Sequence, residues 1–88
     1  MVTREVTIVN RLGLHARAAA KFVRLASQHA ATVRVARGAR ELDGKSILGL
    51  LLLGAASGST IVIRAEGVDA EHAVESLAAL VAEGFGES

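Results

Sequence analysis

The stretch "TIVIRAEGVDAEHAVESLAALV", Thr60–Val81, decides the fold class. Its first part, Thr60–Glu66, is the strongest strand signal in the chain. Asp69 is then placed to cap a helix. Ala70, Ala73, Val74, Leu77, Leu80 and Val81 form that helix's apolar stripe, and Gly84 stops it. Upstream, "REVTIV" (Arg4–Val9) alternates polar and apolar residues and puts Val6 and Ile8 on one face. "TVRVAR" (Thr32–Arg37) does the same with Val33 and Val35. Gly38, tolerant of positive φ, turns the chain into a short strand near Arg40–Leu42. Between these strands, Ala16–Gln28 reads as a helix. Ala19, Phe22, Val23 and Ala26 lie along its apolar side, and Arg17, Lys21, Arg24 and Gln28 along the other. A second, short helix runs from Ser46, its N-cap, to about Leu53, with Gly54 at its end. "GAASGS" connects it to the strong strand.

The order is therefore β-α-β-β-α-β-α. Strands that alternate in polarity want one wetted face, which calls for an antiparallel sheet with helices on one side. The expectation is an α+β protein: a two-layer open-faced β-sandwich, its four-stranded antiparallel sheet covered on one face by three helices. With 88 residues the chain should form one domain over 1–88.

Composition narrows the function. Apolar residues make up 51% and aromatic residues 2%, so Ala, Val, Ile and Leu must build the core. There is no cysteine, which excludes a disulfide framework and a thiolate metal site. The net charge of +1 gives no strong nucleic-acid or membrane signature. The charged N-terminus lacks a signal peptide's hydrophobic segment, and "ILGLLLLGAA" is about half of the roughly 20 residues a membrane span needs. A cytoplasmic protein with no metal and no cofactor is the expectation.

Two places invite a chemical reading. His15 stands where the first helix begins, a position that Ser, Thr, Asp or Asn usually fills. The polar, glycine-containing loop before it should leave the ring exposed. Free N–H groups and the positive end of the helix dipole disfavour a charged ring there and welcome a phosphoryl group. The backbone at Ala16 and Arg17 would supply those N–H groups. The Arg17 guanidinium would add a charge-assisted hydrogen bond of about 1.5–3 kcal/mol. On the residues alone, a nucleophile and a plain surface histidine both remain open, because a lone H-x-R is a weak motif.

The second place is "DGKSILGLLLLG". At about 100° per residue, Leu50 and Leu53 share one side of the short helix, and Ile47, Leu48 and Leu51 span another. A helix on a sheet buries one stripe, so the second arc needs a cover. A contiguous exposed patch more often meets a partner than solvent. Arg17, Arg24 and Lys45 would form its basic rim. His29 and His72 lack ligands at metal-like spacing and read as surface residues.

Together, "GLHARAAAKFV" and "GKSILGLLLLGAASGSTIVIRAEG" resemble the histidine-containing phosphocarrier (HPr) family of the bacterial phosphoenolpyruvate-dependent sugar phosphotransferase system. The resemblance spans nearly the whole chain. It implies a carrier and not an enzyme. His15 would accept a phosphoryl group on Nδ1 from enzyme I with the help of Arg17, and pass it to the IIA domains of sugar permeases. Arg24, Ile47, Leu48 and Leu51 would dock those partners, with no nucleic acid, no membrane insertion and a monomeric state. Ser46 matches a serine that a dedicated kinase, HPr kinase/phosphorylase, modifies in many Gram-positive relatives. It is equally an ordinary helix cap, and both readings stay open. Ala18 departs from the proline usual in the family. Alternatives are a nitrogen-related phosphocarrier and a regulatory binding module on the same fold.

Overall fold

The computed structural model describes residues 1–87. Its elements are β1 (Val2–Thr7), α1 (Ala16–Ala26), β2 (Thr32–Arg37), β3 (Arg40–Asp43), α2 (Ile47–Leu53), β4 (Thr60–Glu66) and α3 (Ala70–Ala82), followed by a 3-10 turn at Gly84–Gly86. The sheet runs β1-β4-β2-β3 and every pair is antiparallel. The expected α+β architecture is therefore the one that forms. Among the described residues, no helix is long and apolar enough to cross a membrane.

Strand alternation sorts the two faces. Val33, Val35, Ile61 and Ile63 point under the helices and are fully buried with Phe22, Leu50, Leu53, Leu77 and Val81. The opposite face carries no helix and holds charge. Arg34 lies directly across from Arg64. Glu41 sits between them, 2.5 Å from Arg64 Nη1 and 3.8 Å from Arg34 Nε. Like charges directly opposite each other destabilise a sheet, and the intervening carboxylate offsets that.

Three boundaries differ from the sequence reading. Strand β1 spans Val2–Thr7, not Arg4–Val9, because β4 begins only at Thr60, which pairs with Thr7. Ile8 still donates its N–H to Ser59 and stays buried, so the predicted inward pair of Val6 and Ile8 keeps its face. Helix α1 stops at Ala26, short of Gln28: the N–H groups of Gln28 and His29 reach only three residues back, to Leu25 and Ala26. That tightening is how helix ends satisfy leftover carbonyls.

The third difference is Asp69. It occupies the N-cap position of α3, yet its side chain makes no capping bond. Its carboxylate instead accepts from the backbone N–H groups of Ala30 (3.0 Å) and Ala31 (2.8 Å). The residue expected to cap its own helix ties the start of α3 to the entry of β2.

A histidine clasp at the start of the first helix

The loop before α1 is folded by short-range bonds. Gly13 donates to the Asn10 carbonyl, His15 donates to the Gly13 carbonyl, and Leu14 straps the loop to Ala55 at 2.9 Å. Gly13 has φ +69°. A Cβ there would lie 2.8 Å from the Ala55 carbonyl oxygen and 3.0 Å from Ala56 Cα, so only glycine fits. Leu14 is buried and pins the loop to the core. His15 then takes extended backbone angles (φ −82°, ψ 179°) as N-cap, and its carbonyl accepts the first helical bond, from Ala19. Its side chain makes no capping bond, and the N–H groups of the first turn, Ala16 and Arg17 included, have no intrahelical acceptor.

His15 is not the free ring the loop composition suggested. Its side chain is 25% exposed, and Nε2 lies 2.5 Å from Glu87 Oε2. Asn10 completes the arrangement. Buried, it donates through Nδ2 to the Gly13 carbonyl (2.7 Å) and to Glu87 Oε1 (3.0 Å). The Asn10 bond, then the His15 bond and the positive charges of His15 and Lys21, hold the Glu87 carboxyl below its ordinary range against partial desolvation.

Glu87 arrives there through an anchor. Gly84, Phe85 and Gly86 all adopt left-handed angles, with φ of 65°, 59° and 75°. Phe85 is inserted into the core, and Lys21 donates to its carbonyl at 2.6 Å. A left-handed conformation is unusual for phenylalanine, and burial of its ring holds it in place. Beside the clasp, an open basin of about 540 Å³ is lined by Arg11, Leu12, Arg17, Lys21, Gly86 and Glu87. Three cations thus face one carboxylate in a shallow depression suited to an anion.

The residues expected to meet partners lie on α1 and α2. Leu50 and Leu53 are buried, while Ile47, Leu48 (66% exposed) and Leu51 are open to solvent, as the helical arc predicts. Leu52, 57% exposed, enlarges that patch and was not foreseen. Arg17 and Arg24 are exposed on α1, and the half-buried Lys45 donates from Nζ to the His29 carbonyl at 2.8 Å. Ser46 Oγ accepts from Gly49 N–H at 3.0 Å, which is the capping role.

His29 and His72 lie at the surface, His72 exposed and His29 half-buried. Their rings meet edge to face with centroids 5.4 Å apart, and His29 Nδ1 bonds to the Leu25 carbonyl. Among the described residues, no group of three or more His, Cys, Asp or Glu could hold a metal ion.

Sequence reading missed Asn10, Glu87, Lys21 and Leu52. One signal was available. Phe85 is one of only two aromatic residues and sits between two glycines, which marks an inserted anchor more than a frayed end.

Comparison with known proteins identifies the family. Residues 2–83 match the family described as "PTS HPr component phosphorylation site". The phosphocarrier protein HPr of Cupriavidus necator is 45% identical over 99% of this chain and 98% of its own. The phosphocarrier protein NPr of Shewanella violacea is 44% identical over 97% and 93%. Among solved structures, HPr-C-His from Thermoanaerobacter tengcongensis superposes with a TM-score of 0.96 at 38% identity, covering 100% of this chain and 99% of that one. An HPr dimer from the same organism gives 0.79 at 39% identity, covering 93% and 94%. The chain belongs to the HPr family of phosphocarrier proteins of the phosphotransferase system, whose members carry a phosphoryl group and are not enzymes.

Proposed function

We propose that residues 1–88 work as one phosphocarrier domain, which takes a phosphoryl group from phospho-enzyme I on His15 and delivers it to IIA domains of sugar permeases. The observation that carries this reading is the placement of His15. One ring nitrogen is tied to Glu87, and the ring stands at the N-terminus of an eleven-residue helix beside a basin lined by Arg11, Arg17 and Lys21. Phosphoryl transfer depends on in-line positioning and charge stabilisation more than on covalent chemistry from the protein. First-turn N–H groups and Arg17 are suited to the incoming dianion.

The exposed patch of Ile47, Leu48 and Leu51, with Arg24 nearby, is the proposed docking face for partners with acidic surfaces. Phosphorylation of Ser46 by an HPr kinase/phosphorylase would displace the cap on Gly49 and place about −2 charge beside this patch, weakening docking. The carrier is proposed to act in the cytoplasm and as a monomer. The HPr dimer among the similar structures makes sedimentation analysis the direct check of that state.

The test is intact mass after incubation with phosphoenolpyruvate and enzyme I. One acid-labile phosphoryl group that disappears in His15→Ala is the expected result. A specific observation favours a second reading: the 44% identity to an NPr. Transfer from a nitrogen-type enzyme I, and none from a sugar-type one, would establish that branch. Transfer from neither would leave a regulatory binding module on the same fold.

A further inference from the structure

We propose that Arg37 and Arg40 form a carboxylate-binding fork at the C-terminal end of α2, which takes an acidic side chain of the protein partner that docks on the exposed leucines. The inference rests on the carrier reading and its docking face above. It adds what that face binds at the end opposite Ser46.

The two arginines flank the two-residue turn of Gly38 and Ala39 and lie directly across from each other in the β2–β3 pair. Arg37 continues the alternation of Val33 and Val35, so it points to the helical side just past the core. Like charges directly opposite each other destabilise a sheet. At Arg34 and Arg64 the Glu41 carboxylate offsets that cost. Among the described residues, no carboxylate pairs with Arg37 or Arg40. The end of α2 receives them instead. Arg40 Nη1 donates to the Leu52 carbonyl at 2.5 Å, and Arg37 Nη1 to the Leu53 carbonyl at 3.0 Å. The Gly54 N–H donates to the Leu51 carbonyl, so three successive carbonyls of the last turn are satisfied.

Capping does not exhaust the pair. A helix C-terminus offers about half a negative charge, so most of the two positive charges is left over. Both arginines are exposed, and each spends one Nη1 on a carbonyl. A guanidinium has five N–H donors in a planar fork that matches a carboxylate. The bonds to α2 orient both groups before a partner arrives, which lowers the ordering cost of binding. Helix α2 itself, Ile47–Leu53, carries no charged residue. Its outer side is apolar, with Leu48 and Leu52 mostly exposed. A partner packed on those leucines reaches the arginines at the helix end. One with a carboxylate there completes the arrangement, and one with a cation there is repelled.

The test is transfer kinetics at low and high salt, from the enzyme I that loads the wild type and onward to a IIA domain. The double variant Arg37→Gln with Arg40→Gln keeps a side-chain donor for each carbonyl and removes both charges. Its KM is expected to rise about tenfold in at least one transfer while kcat holds, the pattern of lost binding. The wild-type KM should rise with salt and the variant's much less, because exposed charges are screened. Arg37→Lys with Arg40→Lys restores the charges without the fork and should recover part of the affinity. Phosphoramidate reports on His15 without docking: attack by the ring on its phosphorus breaks the P–N bond and releases ammonia. Slowing with phosphoramidate and enzyme I alike, or a raised KM with the salt dependence undiminished, would make the arginines braces of α2 alone and overturn the fork. So would a wild-type KM in the glutamine pair, or in the lysine pair should the glutamine pair not fold. Failure of any enzyme I to load the wild type overturns the carrier reading, and the fork with it, whereas loss confined to the variants cannot come from that failure.

Discussion

Asp69 accepts a hydrogen bond from the N–H of Ala31, 38 residues earlier in the chain, at 2.8 Å. With its bond to Ala30, the carboxylate fastens the start of α3 to the first residues of the β2 entry. Burial pushes the Asp69 carboxyl up, but the N–H groups of Ala30, Ala31 and Asp69 itself and the charge of His29 outweigh it, and the carboxyl is held below its ordinary value of 3.8. A depressed carboxyl contributes stability that is fully present above the unfolded value and is lost as pH falls through the folded one. Glu87 follows the same rule from its ordinary value of 4.5. Asp69→Ala is therefore expected to lower Tm at neutral pH and to leave it nearly unchanged at the lowest pH. Thermal melts from pH 7 down to pH 2 check this. A variant that loses the same stability at every pH contradicts it.

Gly13 and Gly38 both have positive φ but opposite surroundings. Gly13→Ala forces a Cβ against the backbone of Ala55 and Ala56, whereas a Cβ at Gly38 meets nothing within 4 Å. Gly38→Ala should cost about 1 kcal/mol from its backbone angles alone. Gly13→Ala should cost about 2 kcal/mol or more and also shift the His15 loop. Urea unfolding measures the first difference. Phosphoryl acceptance by the refolded proteins, lost in Gly13→Ala and retained in Gly38→Ala, measures the second.

Leu48 separates docking from folding. It is mostly exposed on the uncovered arc of α2, so Leu48→Asp should change stability by no more than about 0.5 kcal/mol. Transfer from enzyme I should fall by about tenfold or more, because a like charge is set against an acidic partner and an apolar contact is removed. Phosphoramidate, which needs no docking, should modify the variant as fast as the wild type. Equal slowing with both donors would place Leu48 outside any docking face.

Ser46 offers a substitution pair. Ser46→Ala removes the acceptor for Gly49 N–H and should lower stability by about 1 kcal/mol while leaving transfer intact. Ser46→Asp keeps a capping oxygen and adds charge. Its stability should hold, and enzyme I transfer should slow. A Ser46→Asp protein that exchanges phosphate at the wild-type rate would leave the serine as a cap alone.

What was legible in the sequence follows from the range of the forces involved. The Ser46 cap and the left-handed Gly54 that ends α2 are decided within a few residues, and local pattern reading finds them. The buried pair Leu50 and Leu53 against the exposed Leu48 follows from helical geometry alone. His15 at the head of α1 was legible for the same reason. Its partner was not. The His15–Glu87 contact spans 72 residues, and no periodicity encodes which carboxylate will arrive. Asp69 misled for a related reason: its position is that of a cap, and only the folded chain shows that the N–H groups of Ala30 and Ala31 compete successfully for it.

The pairing of Arg34 with Arg64 reaches beyond the sheet that contains it. A bare β-sheet face invites a second sheet to stack on it at roughly 10 Å and turn two layers into a sandwich. Here that approach would strip water from Arg34, Arg64 and Glu41 together, with two guanidinium groups sharing one carboxylate. Dehydrating such a cluster is costly unless a complementary charge comes with the incoming surface. The uncovered side is thus a hydrated ionic lid that resists stacking by another copy of itself. The same cost does not attach to the helical side, where the apolar arc of α2 is exposed.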